Sequence, residues 1–93
     1  MDGNFSIGDI VLSKAGRDGG KHYVVVATEE NFVFICDGDL HKNDKPKKKK
    51  VKHVGATDGV SEYIRNKIAD GEKITNNELR RAIQEFEESN GMN

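Results

Sequence analysis

The sequence has no tryptophan, one cysteine, one proline, two tyrosines and four phenylalanines. With hydrophobic residues at 34% of 93 positions, there is material for one thin core and not for two. A chain of this length buries only about 60–65% of its unfolded surface, which sets a modest ceiling on stability. The lone cysteine, Cys36, excludes an internal disulfide and points to a reducing compartment. No run approaches the ~20 apolar residues that span a bilayer, and no basic segment followed by an apolar run opens the sequence. The expectation is a cytoplasmic, monomeric protein without a membrane partner. Short paired Cys/His spacings are also missing. Cys36, His41 and His53 stand singly, Ser13 and His22 flank a loop without a third partner, and the carboxylates scatter through turns and helix exteriors. No metal, no cofactor and no enzymatic activity are expected from such a set.

What the chain does have is charge, unevenly placed. The net charge of −1 hides ten Lys and Arg against eight Asp and Glu in residues 1–53, and five against eight in residues 54–93. Between His41 and His53 there are seven lysines and one acid, Asp44. Local potential, and not net charge, decides what such a surface attracts.

The pattern divides at Gly55. Before it, short alternating or β-branched runs separated by turn residues read as strands: 8–13, 22–28, 32–36, a return strand at 40–42 after the Asp37-Gly38 hairpin signal, and a closing strand at 51–54. Residues 45–50, containing Pro46, read as a basic loop. Five short strands with tight turns suggest a small antiparallel sheet closing into a barrel, which removes exposed edges. After Gly55, Thr57 or Asp58 caps a helix with Val60, Ile64 and Ile68 at four-residue spacing, stopped by Asp70-Gly71. Thr75-Asn76-Asn77-Glu78 is a capping box opening a second helix, with an apolar stripe of Leu79, Ala82, Ile83 and Phe86. The expected architecture is a mainly β domain, 1–54, followed by two short α-helices in 55–93 that pack on the sheet or on a partner.

Residues 8–26, GDIVLSKAGRDGGKHYVVV, carry the strongest local signal. They read as strand, glycine loop, strand, with Lys14, Arg17 and Lys21 projecting from the loop. Glycines at such positions supply backbone conformations that a Cβ resists. A phosphate-binding P-loop is excluded, because Ala15 stands at the first glycine position, His22 replaces Ser or Thr, and a strand follows where a helix is needed.

The segment resembles the KOW motif: Gly8-Asp9, the hydrophobics Ile10 and Val11, the central Gly16, then Asp18, Gly20-Lys21 and the valine strand Val24, Val25 and Val26. It is similar to large-subunit ribosomal proteins of the archaeal and eukaryotic KOW type and to small bacterial KOW-domain RNA-binding proteins. The likeness to the latter runs on through Asp37-Gly38, the KPKKKKVKH run and the helical tail. The resemblance implies an SH3-like antiparallel barrel and binding of structured, ribosomal RNA in translation. The acidic helical tail departs from the archaeal-type ribosomal proteins.

On that reading Lys14, Arg17 and Lys21 meet phosphates from the loop, while Gly16, Asp18 and Gly20 shape it. Lys42, Lys45, Lys47, Lys48, Lys49, Lys50 and Lys52 extend the contact. Lysine is a point charge without bidentate geometry, so it favours backbone attraction over base reading. Phe32 and Phe34 share one face of a strand and are either core or a stacking platform; the scarcity of large apolar residues favours core. The rival expectation is a protein-interaction module, a transcription or translation accessory factor, using the barrel edge or the stripe of Leu79, Ile83 and Phe86.

Overall fold

The structure, a computed structural model, describes residues 5–14 and 19–90. Gly16, Arg17 and Asp18 of the glycine loop lie outside the described residues. Five strands form one antiparallel sheet in the order β4-β3-β2-β1-β5: β1 (Asp9–Ser13), β2 (His22–Glu29), β3 (Phe32–Cys36), β4 (Lys47–Lys50) and β5 (Val54–Val60). Two helices follow, α1 (Glu62–Ala69) and α2 (Asn76–Ser89). The protein is mainly β, and no helix is long and apolar enough to cross a membrane among the described residues.

Both faces of the sheet are covered along the first half of β2, which explains its unbroken buried run from His22 to Val25 where a one-sided strand would alternate. On one face Val11, Tyr23, Val25, Val33, Ile35 and Val54 pack together. On the other, Ile10, Val24 and Cys36 meet Ile64 of α1 and Leu79 of α2, with Ile83 and Phe86 against them. The stripe offered as a docking surface is therefore turned into the sheet.

The edge strands β4 and β5 are joined only by the 3-10 turn Val51–His53. In a flat five-stranded sheet the two edges would lie about 19 Å apart, whereas four Cα steps reach about 14 Å. The sheet must curl. No ladder joins β4 to β5, so the barrel expected from the sequence is not closed by strand pairing.

Four expected elements are corrected. The return strand at 40–42 is absent: Asp37 Oδ1 accepts from the Asp39 and His41 amides at 3.0 and 2.9 Å, folding 37–41 into a loop that leaves Leu40 58% exposed. The fourth strand is instead the lysine run, expected as a loop. Lys47 to Lys50 pair residue by residue with Ile35 to Phe32.

The closing strand at 51–54 is a 3-10 turn followed by β5, which continues to Val60 past the Gly55 boundary. The first helix accordingly starts after Ser61 and not at Thr57 or Asp58; Ser61 Oγ accepts from the Ile64 amide at 3.2 Å. Between the pairs Asp9↔Val60 and Val11↔Ala56 the register shifts, so residues 57–59 bulge opposite Ile10. The second helix begins as expected: the Thr75 hydroxyl accepts from Glu78 N, and the Glu78 carboxylate accepts from Thr75 N.

Candidate nucleic-acid interface

A lysine run has poor intrinsic strand preference, so β4 exists because β3 offers it a ladder. Pairing then sorts the run by period two. Lys48 stands opposite Phe34 and Lys50 opposite Phe32, on one face; Lys47 and Lys49 stand opposite Ile35 and Val33, on the other. A contiguous basic loop would present all four charges together. The strand presents Lys48 and Lys50 beside the two phenylalanines, with Lys49 half-buried on the opposite face.

Phe32 and Phe34 belong to neither buried cluster and are half-buried, so the core assignment is corrected. The Lys48 ammonium lies 4.4 Å from the Phe32 ring centre and 5.8 Å from that of Phe34, within cation–π range. It also lies 3.4 Å from Glu29 Oε1, both side chains being half-exposed; such a pair contributes about 0–1 kcal/mol. The two-residue turn before β3 places Asn31 at φ 70 and its carbonyl accepts from Val51 N at 3.0 Å. Asn31, Phe32, Lys50, Val51 and Lys52 line a shallow depression of about 370 Å³. This groups Lys48, Lys50 and Lys52 around one aromatic strip.

The other proposed contacts divide. Lys14 is exposed beyond β1, and its amide donates to the His53 carbonyl at 2.9 Å, beside Lys52. Lys21 lines a different depression of about 300 Å³, with Asp37, Asp39, Arg80 and Glu87 on its walls. Three carboxylates there oppose any gathering of phosphates. Lys42 and Lys45 are exposed in the β3–β4 connection, where the Asn43 backbone amide donates to Asn76 Oδ1 at 2.8 Å and its side-chain amide donates to the Ile74 carbonyl just before α2. Gly20 takes φ +87 with open space around it, and its amide closes the loop base onto the Ser13 carbonyl at 2.9 Å.

Next to Lys21, His22 is buried, with Nδ1 2.8 Å from Glu87 Oε2 and its ring edge-on to Phe86 at 5.2 Å. Glu87, in the acidic end of α2, is thus held beside the base of the glycine loop. Cys36 is buried, its thiol donating to the Lys42 carbonyl; burial, aided by Asp37 and Asp44, pushes it up to about 12. Such a thiol is a poor nucleophile and a poor metal ligand. Among the described residues no group of three or more His, Cys, Asp or Glu is placed to hold a metal ion.

The feature that sequence reasoning underweighted is the Phe32–Phe34 strip. Its signal is visible in the pattern: two aromatics at period two in the strand that precedes a lysine run. Compared with known proteins, the chain matches no family model and no curated protein.

Proposed function

We propose that this chain is a non-catalytic RNA-binding protein of the KOW type, meeting structured RNA through its phosphate backbone. The observation that carries the reading is the paired edge strand Lys47–Lys50, whose Lys48 and Lys50 form one basic surface with Lys52. Cations on a fixed strand meet a phosphate row without the ordering cost that a free loop would bring. The curled sheet is read as an SH3-like barrel, its β4–β5 seam spanned by the 3-10 turn. Ribosomal RNA, encountered in the cytoplasm by a monomer, is the ligand class that the motif resemblance implies.

The interface is narrower than the full basic set. Lys48, Lys50, Lys52 and Lys14 form the proposed contact, with Lys47, Lys42 and Lys45 flanking it, while Lys21 is set against carboxylates. The rival, a protein module that pairs a partner strand along β4, is disfavoured by four consecutive lysines, a device that blocks edge pairing. Titration of a labelled ribosomal RNA hairpin with the chain and with Lys48→Ala/Lys50→Ala/Lys52→Ala tests the reading. Weakened binding with a flatter salt dependence supports it; unchanged affinity at low salt overturns it.

A further inference from the structure

We propose that Phe32 and Phe34 form a stacking platform for unpaired bases, so that the preferred ligand is a single-stranded stretch or loop of RNA next to the phosphates held by the β4 lysines. The inference rests on the RNA-binding reading above and sharpens its substrate class.

Phe32 and Phe34 face the same side of β3 by strand periodicity, and their partners on β4, Lys50 and Lys48, face that side too. The helices cover this face at Cys36 but not at the two phenylalanines. On the β2 side Phe34 is flanked by Ala27 and Phe32 by Glu29; the small alanine adds little bulk beside the half-buried Phe34 ring. Beyond Phe32, the depression lined by Asn31, Lys50, Val51 and Lys52 has about 370 Å³ of space, and the Asn31 side chain brings both a donor and an acceptor for a base edge.

Cations around an aromatic strip are the two components that hold single strands: lysines track the phosphates and every base offers a π-face to a ring. A duplex keeps its bases stacked inside and offers such rings nothing. The ammonium of Lys48 now occupies the ring faces, 4.4 Å from Phe32. Its ion pair with Glu29 is half-exposed and easily released, so a base can displace it toward a phosphate. Glu29 itself works against RNA, being an acid paired opposite Phe32.

The test compares an oligouridine of about ten nucleotides with an RNA duplex of matched charge, by fluorescence anisotropy on the full chain. Phe32→Leu and Phe34→Leu keep apolar bulk on the sheet and remove the π-face; thermal melts check that both variants fold. The platform predicts a loss of about fivefold or more in oligouridine affinity for each, with duplex affinity and salt slope unchanged. Glu29→Gln is expected to tighten both ligands. Equal effects on both ligands, or none on oligouridine while the lysine triple variant still weakens both, overturn the platform and leave the phosphate reading standing. Absence of lysine-dependent binding to either RNA overturns both. Ring-dependent capture of an acidic peptide in place of oligouridine overturns the platform in favour of a protein partner.

Discussion

The hydroxyl of Thr57 donates to the carbonyl of Ile10 at 2.6 Å and accepts from the Gly59 amide at 3.0 Å. It does so where residues 57–59 bulge away from β1 and the ladder is interrupted, so one side chain satisfies backbone groups that the bulge leaves without strand partners. Thr57→Val keeps the shape and removes the bond. The expected cost is about 1–2 kcal/mol, because a buried backbone carbonyl loses its donor. Urea denaturation with an unchanged m-value checks it.

Gly59 of β5 lies directly against Phe86 of α2. A Cβ there would run into the Phe86 ring, with Ile10 Cβ at 3.2 Å. Gly59→Ala is expected to cost about 1–3 kcal/mol through overpacking, seen as a lowered Tm. Phe86→Leu in the same chain should return part of that loss, since the two changes share one contact and will not add.

Glu78 accepts from the Tyr63 hydroxyl, the Thr75 amide and Lys67, and these bonds hold its carboxyl down from the ordinary 4.5 to about 2. A depressed carboxyl contributes stability above its unfolded value and loses it as pH falls toward the folded one. The α1–α2 junction should therefore weaken as pH drops from 4.5 to about 2. In Glu78→Gln that part of the acid-induced loss disappears and the protein is less stable at neutral pH. Denaturation midpoints measured across this window for both chains give the comparison.

Cys36 is buried, with its thiol pushed up to about 12. At pH 8 the thiolate is scarce and covered, so an aromatic disulfide reagent should react only as fast as the chain opens. Adding denaturant should raise the labelling rate in step with unfolding. Rapid labelling of the folded chain would contradict the packing assigned to β3.

Much of this was legible in the sequence. The strands of residues 22–29 and 32–36 follow from β-branched and aromatic runs, and the Thr75–Glu78 capping box marks its helix because that signal is local. The corrections fall where distant partners decide. Lys47–Lys50 carries no hydrophobic alternation, and only its ladder with residues 32–35 makes it a strand. Thr57-Asp58-Gly59 looks like a helix start, but Thr57 is bound to Ile10, 47 positions away. Asp37-Gly38 signals a turn correctly, yet the Asp37 carboxylate bonds the Asp39 and His41 amides and so prevents the returning strand. The lysines were visible as a basic set; which of them share a face with the phenylalanines depends on register, which no local pattern carries.

The central claim, that the lysines around β4 neutralise RNA phosphates, is tested most directly by the salt dependence of affinity for a ribosomal RNA hairpin. Each phosphate contact contributes roughly 0.7–0.9 to the slope of log affinity against log salt. Replacing Lys48, Lys50 and Lys52 by alanine should flatten that slope by about 2–3 and weaken binding at low salt, whereas Lys21→Ala should change it little. An unchanged slope in the triple variant would contradict the account.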